Sequence, residues 1–158
     1  MNNQGSNQVK TWLIRLGFLG LVMGGGILIG TLTAPGEWYA ALNKPSFNPP
    51  NWIFAPVWTT LYVLIAMAGW RQYEADKTSR SMKLWLAQLG LNFLWSPAFF
   101  VLQMPWLAFV VISALLLVIL LFLREVWTRD RIAAMAFLPY LAWVGFACAL
   151  NLSIALLN

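Results

Sequence analysis

The sequence predicts an all-α membrane protein, a bundle of five transmembrane helices with a proline-rich ordered loop between the first and the second. Three observations predict it. Of 158 residues, 61% are hydrophobic and only 9% are charged, whereas a soluble domain carries about 25% charged residues; the chain has too little polar surface to cover itself in water. Five apolar runs, each near the ~20 residues that cross a bilayer, fill most of the length, so residues 1–158 form a single domain. The ten Trp suit membrane interfaces and aromatic-lined pockets.

The first span covers about residues 11–32, after a polar, uncharged start from Met1 to Gln8. No small-residue cleavage site follows it, so it reads as a retained helix and not as a signal peptide. It carries Gly17, Gly20, Gly24, Gly25, Gly26 and Gly30. The pairs Gly20/Gly24 and Gly26/Gly30 are small-xxx-small patterns that let another backbone approach closely. Packing within the same chain is the expected use, ahead of a dimer seam or a ligand wall. The loop Thr33 to Asn51 contains Pro35, Pro45, Pro49 and Pro50. Proline fixes φ and disfavours helix before it, so this loop is expected to be extended and ordered. Trp38, Tyr39, Phe47 and Trp52 give it apolar surface to lay on the bundle.

The second span covers about 52–73, with Pro56 early in it, and a polar stretch from Glu74 to Ser81 comes next. The third covers about 82–102, and Pro97 is expected to kink it. A short turn at Gln103 to Pro105 leads to the nearly all-aliphatic fourth span, about 106–123. The charged loop Arg124 to Arg131 precedes the fifth, about 132–156, which contains Pro139.

Five spans put the N-terminus and two inter-helix loops on one side. Lys10, Arg15, Arg71, Lys77, Arg80, Lys83, Arg124, Arg129 and Arg131 lie there, and only Lys44 lies on the other. Basic loops stay in the cytoplasm, which places the N-terminus inside and the proline-rich loop outside. The same distribution explains the net charge of +5 as a topology signal, and nucleic acid is not an expected partner. A helical bundle without a cleavable targeting segment points to the inner membrane of a bacterium, since outer-membrane spans are normally barrels.

There is no His and one Cys, Cys148. The usual general base, metal ligand and haem axial ligand are therefore missing, and no intrachain disulfide is possible. No Asp, Glu or Lys lies deep in a span, and Arg15 is close enough to its helix start to snorkel. Ion-coupled transporters keep ionisable groups at depth, so that class is disfavoured, as is conventional acid–base or nucleophilic catalysis. What remains at depth is neutral and aromatic. With about 100° per residue, Phe54, Trp58 and Tyr62 share one face; so do Gln88, Asn92, Trp95 and Phe99, and so do Tyr140, Trp143, Ala147 and Asn151. Helical spacing leaves two readings open, interhelical packing and the wall of a cavity for a flat apolar ligand with a few polar edges.

Three motifs carry a resemblance. They are Trp38-Tyr39-x-x-Leu42-x-Lys44-Pro45-Ser46-Phe47-x-Pro49-Pro50 followed by Trp58, Gln88-Leu89-x-Leu91-Asn92-Phe93-x-Trp95, and Pro139-Tyr140-Leu141-x-Trp143 with Ala147 and Leu150-Asn151. In this order and over nearly the whole chain they resemble the translocator protein family, also called tryptophan-rich sensory proteins or peripheral-type benzodiazepine receptors. The resemblance implies a five-helix bundle, often a homodimer. It implies a pocket under the first loop for porphyrins and for benzodiazepine-type or isoquinoline drugs, with protoporphyrin IX or haem as ligand and no required cofactor. By motif match, Trp58, Asn92, Trp143 and Ala147 would line that pocket, joined by Tyr39, Pro49 and Tyr62. Trp38, Trp95 and Tyr140 of the same motifs complete the candidate site, with Trp143 expected to stack on the ring and Asn92 to bond a polar edge. The resemblance also implies tetrapyrrole transport or stress signalling, with light-dependent breakdown of protoporphyrin IX as the alternative. Members have been placed in outer membranes too. The sterol motif of animal members needs Tyr and then Arg after Leu-Asn; here the chain reads Leu150-Asn151-Leu152-Ser153-Ile154, which puts specific cholesterol recognition in doubt. Near the start of the third span, Lys83 and Ala87 stand where members can carry a small-xxx-small pair, so the dimer seam is not fixed by sequence.

Overall fold

The computed structural model describes residues 3–158, and the regular structure among them is all helical. The elements are α1 (Asn3–Leu32), α2 (Glu37–Ala41), a 3-10 turn (Asn51–Ile53), α3 (Phe54–Asp76), α4 (Arg80–Ser96), a π-helical turn (Pro97–Val101), α5 (Pro105–Val126) and α6 (Arg131–Leu157). Five spans are long and apolar enough to cross a membrane: α1, α3, α4 together with the π turn, α5 and α6. They form a ring in the order α1, α3, α6, α5, α4, which closes where α4 meets α1.

Three boundaries differ from the sequence expectation for physical reasons. Helix α1 begins at Asn3, because a polar stretch that ends a hydrophobic run need not end the backbone hydrogen bonds. The loop after α1 is not extended throughout. Between Pro35 and Pro45 it forms the short helix α2, whose first residue, Glu37, suits the positive end of a helix. At Pro97 the third span widens into a π turn, with the Leu102 amide bonding the Pro97 carbonyl at 2.9 Å. Gln103 then adopts φ 55° and turns the chain into α5.

The core lies where α4, α5 and α6 meet. Phe122 and Phe137 pack with centroids 4.3 Å apart. Trp85 is wholly buried, its indole N–H donating to the Ile65 carbonyl at 2.9 Å. Gly69 lies directly under that indole, and a Cβ there would collide with Trp85 and Phe18. On α1, Gly25 and Gly26 admit Phe93 and Tyr62 in the same way, whereas Gly20, Gly24 and Gly30 have nothing within 4 Å of where a Cβ would be. Packing within the chain therefore accounts for Gly25 and Gly26 but not for the Gly20/Gly24 pair.

The basic side is fastened by ion pairs. Arg15 joins Glu74 at 2.9 Å, and Glu125 takes Arg129 at 2.8 Å. Asp130 receives the Arg71 guanidinium through both its oxygens at 2.8–3.1 Å, accepts from Gln72, and caps α6 by accepting from the Ala133 amide. On the opposite side the proline loop is latched to the end of α6. The Asn158 side chain accepts from the Asn43 amide at 2.9 Å and donates to its carbonyl at 3.0 Å.

Asp130 yields a pH prediction. Burial on its own would raise its carboxyl, but the hydrogen bonds from Arg71 and Ala133 outweigh that and hold it below the usual carboxylate range. A carboxyl depressed in the folded state stabilises fully above its unfolded pKa of about 3.9 and loses that contribution as pH falls through the lower folded pKa. Asp130→Ala should cost about 1–2 kcal/mol at pH 7, a lost helix cap plus a solvent-screened ion pair. The gap to the parent should narrow as pH falls below the usual carboxylate range and Asp130 takes up its proton. Thermal unfolding of both proteins across pH checks this, and a gap independent of pH would contradict it.

Candidate functional site

In the half of the bundle nearest the proline loop, the ring of helices does not fill its centre. A cavity of about 550 Å³ lies between α1, α3, α4 and α6, roofed by Pro35 and Tyr39. Helix α3 contributes Phe54, Trp58 and Tyr62, one above another at helical spacing. Helix α4 contributes Asn92, Trp95 and Ser96, and the π turn adds Phe99 and Phe100. Phe99 and Phe100, consecutive in that turn, both reach the wall. Helix α6 contributes Ala147, Leu150, Asn151 and Ile154, and α1 closes the ring with Gly26, Ile27, Gly30 and Thr33. Ile27, Gly30, Ala55 and Thr59 are also exposed on the outside of the bundle. The cavity thus has a side mouth between α1 and α3, which in a bilayer faces lipid.

Polar groups in the wall are few and mostly committed. The Trp95 indole donates to Asn151 Oδ1 at 3.0 Å, and Asn151 Nδ2 donates to the Pro105 carbonyl at 2.8 Å. The Thr33 and Ser96 hydroxyls lie 2.6 Å apart and tie the end of α1 to α4. Asn92 Nδ2 donates to the Tyr140 hydroxyl at 2.8 Å, which donates to Gln88 Oε1 at 2.9 Å. In the roof, Tyr39 donates to Asn48 Oδ1 at 3.3 Å, and the Lys44 ammonium sits 4.6 Å over its ring. Burial pushes the Tyr39 hydroxyl above its ordinary range, with the Asn48 contact countering it in part. No charged side chain lines the cavity among the described residues.

Of the ten residues singled out from sequence, the structure brings six to this wall: Tyr39, Trp58, Tyr62, Asn92, Trp95 and Ala147. Tyr140 is fully buried behind it, bonded to Asn92 and packed edge-on against Trp58, 6.4 Å away. Trp38 packs edge-on against Phe99, 5.7 Å away, and Pro49 accepts from Asn48 in the loop. Trp143 departs most from expectation. It lines a shallow outer groove between α3 and α6 with Pro56, Val57, Pro139 and Ala142, and packs against Phe54 and Phe146. Its indole N–H is buried without a partner. The cause is angular, since residues 143 and 151 are about 80° apart around a helix at 100° per residue; Ala147 and Asn151 face the cavity and Trp143 falls off the edge of the stripe. Sequence reasoning missed Thr33 and Ser96. The signal was present, because Thr33 continues the Gly26 and Gly30 face and Ser96 sits one turn beyond Asn92.

A bundle of five apolar spans around an aromatic, uncharged cavity defines an integral multi-pass membrane protein. The TspO/MBR family profile matches residues 18–157. Over 123 residues, covering 77% of this chain and 80% of the relative, it is 45% identical to the tryptophan-rich protein TspO of Archaeoglobus fulgidus. It is 35% identical to the tryptophan-rich sensory protein of Cereibacter sphaeroides over 147 residues, 93% of this chain and 92% of the relative. The human translocator protein is 35% identical over 152 residues, 89% of this chain and 87% of that protein. The chain belongs to the TspO/MBR family.

The glycine contacts predict which substitutions the bundle tolerates. A Cβ at Gly26 would collide with the Tyr62 ring, whereas nothing lies within 4 Å of one at Gly145. Gly26→Ala should cost about 1–3 kcal/mol, the usual range for overpacking. Gly145→Ala should stay within about 1 kcal/mol of the parent, on the stabilising side. Thermal unfolding in one detergent compares them, and equal melting temperatures would mean that α1 does not rest on Tyr62.

Proposed function

We propose that the cavity binds a flat tetrapyrrole, with protoporphyrin IX as its representative, and that the protein acts as a membrane receptor or carrier in tetrapyrrole transport or stress signalling. One observation carries this reading: a cavity of about 550 Å³ walled by Trp58, Tyr62, Trp95, Phe99 and Phe100, with Asn92 at its inner end and no charge in the wall. Ligand sites of about 300–1,000 Å³ are typically apolar, with a few placed polar groups. Aromatic faces stack on an extended ring, and Asn92 offers a hydrogen bond to a polar edge. The side mouth suits a ligand that partitions into lipid first. Ring stacking needs no metal, and with no His in the chain any haem iron would bind without imidazole.

A second reading, light-dependent breakdown of protoporphyrin IX, draws support from Trp58 and Trp95 in the wall, where excited porphyrin and its oxidant would meet an oxidisable indole. Self-association as a homodimer belongs to the proposal as well. Gly17, Gly20 and Gly24 share one outward face of α1 with room beside it for a second copy.

Purified protein incubated with protoporphyrin IX in light and in darkness tests both readings. Binding without turnover is expected for a receptor or carrier, and many turnovers in light alone would establish the photochemical reading in its place. Within that experiment Trp58→Ala should weaken binding by about tenfold or more, as a lost stacking contact of ~0.5–1.5 kcal/mol plus lost buried area implies. Trp143→Ala should lower the melting temperature with little change in affinity. The reverse pattern would move the ligand to the outer groove.

The N-terminus is assigned to the cytoplasm, in a bacterial inner membrane, on the distribution of Lys and Arg. In a Cys148→Ala background, a membrane-impermeant thiol reagent on intact cells should label Ser46→Cys and spare Ser79→Cys. Labelling of Ser79→Cys alone would invert the topology.

A further inference from the structure

The chain Asn92–Tyr140–Gln88 contains an asymmetry that packing alone does not require. Tyr140 and Gln88 are wholly buried, and Asn92 is 6% exposed, at the cavity wall. Asn92 Nδ2 donates to the Tyr140 hydroxyl at 2.8 Å, and that hydroxyl donates to Gln88 Oε1 at 2.9 Å. Two groups are left over. Asn92 Oδ1 is the amide atom not committed to Tyr140, on a residue that borders the cavity. Gln88 Nε2 is buried with no partner, although an amide nitrogen carries two donors that normally find acceptors when buried.

A hydroxyl donates one proton and can also accept, so this chain can run in the opposite direction. If both amides turn over, Gln88 Nε2 donates to Tyr140, Tyr140 donates to Asn92 Oδ1, and Asn92 Nδ2 is presented to the cavity. Both directions make two hydrogen bonds. In one, both N–H groups of Gln88 Nε2 are unpaired; in the other, one of those N–H groups and the Gln88 carbonyl oxygen are. Nothing in the bonding pattern strongly prefers one direction, so a ligand that prefers one face of Asn92 can select it.

We propose that Gln88 and Tyr140 are specificity-determining residues that never touch the ligand: they form a reversible relay that lets Asn92 present an acceptor to donor ligands and a donor to acceptor ligands. This rests on the reading of the cavity as a binding site. It identifies the ligand class as flat aromatic molecules that present either an N–H or an acceptor atom at the edge facing Asn92.

Carbazole and dibenzofuran are near-isosteric flat tricycles that differ in carrying an N–H donor or an oxygen acceptor, and they serve as probes. Their Kd values are measured on the full chain in nanodiscs, against empty nanodiscs. The parent protein should bind both with similar affinity. Gln88→Met removes the far acceptor, so Tyr140 must donate to Asn92 Oδ1 and fix the Asn92 N–H toward the cavity. Carbazole should then weaken by about three- to tenfold relative to dibenzofuran, the worth of one neutral hydrogen bond. In a Tyr140→Phe background the relay is cut, and adding Gln88→Met should leave the ratio unchanged. A measurement on the parent protein guards against variants that fail to fold. The Gln88 side-chain amide signals in 15N spectra should differ between the carbazole and dibenzofuran complexes, although Gln88 borders neither. If both probes bind and the Gln88 signals and the Kd ratio do not respond, the relay is overturned while the cavity stands. If neither probe binds the parent protein but protoporphyrin IX does, the relay is again overturned. If none of the three binds, the cavity reading fails and the relay with it.

Discussion

A polar side chain at the centre of a bilayer has no water to fall back on, so it must find its partner inside the protein. In this chain Gln88, Asn92 and Trp95 on α4 meet Tyr140 and Asn151 on α6. Asn151 reaches on to the Pro105 carbonyl, where α5 begins. These bonds fix the rotation of α4 against α6 and the position of the turn between α4 and α5. With α5 packed against both of them, three helices form one rigid wall. Among the described residues, helix α1 makes no comparable bond at depth. It is held by glycine contacts to Tyr62 and Phe93, by Arg15 at one end and by Thr33 at the other. The cavity lies between the rigid wall and this more lightly held helix.

The same division explains where the aromatics go. A ring on α3 or α4 can lie flat against α1 only where α1 offers glycine, as at Gly25 and Gly26. Elsewhere α1 turns Trp12, Leu13, Leu16, Ile27 and Leu28 outward, which suits a surface bathed in lipid. The mouth between Ile27 and Thr59 is therefore a place where protein meets acyl chains and not water. A guest that entered there would exchange one apolar surround for another. Its affinity would depend on ring stacking and on the Asn92 hydrogen bond more than on hydrophobic transfer. That is a reason for such a wall to be aromatic, since aliphatic side chains would offer little that lipid does not.

The five spans could be read from the sequence because hydrophobicity over about 20 residues is a strong signal. The faces of α3 and α4 could be read because Phe54, Trp58 and Tyr62, or Asn92, Trp95 and Phe99, keep helical spacing over two turns. Trp143 shows the limit of that method. A stripe read from residues 140, 143, 147 and 151 is broad, and only the neighbouring helix decides which edge of it is buried. Phe100 was hidden for a different reason: it follows Phe99 in the π turn and lies off the stripe that Asn92, Trp95 and Phe99 mark. Gln88 shares the helical stripe of Asn92 and Trp95 yet lies behind the cavity, since Tyr140 takes the space between. Helix α2 was hidden because prolines on both sides mask five residues that are free to coil.

The uncharged wall also constrains what the protein can do with a guest. Moving a load against its gradient requires coupling to an ion or a potential, and in membrane proteins that coupling runs through ionisable groups at depth. Here the ionisable pairs, Arg15 with Glu74, Arg71 with Asp130 and Arg129 with Glu125, are gathered at one end of the bundle. The cavity is at the other, under the loop that Asn43 and Asn158 hold down. Occupancy on the proposed reading then follows the concentration of the guest in the surrounding lipid, and a bound guest changes the protein through contacts alone. Those contacts touch α1, the more lightly held side of the cavity. A sensor needs its ligand to bear on the element that moves most easily, and on the proposed reading the guest lies against α1.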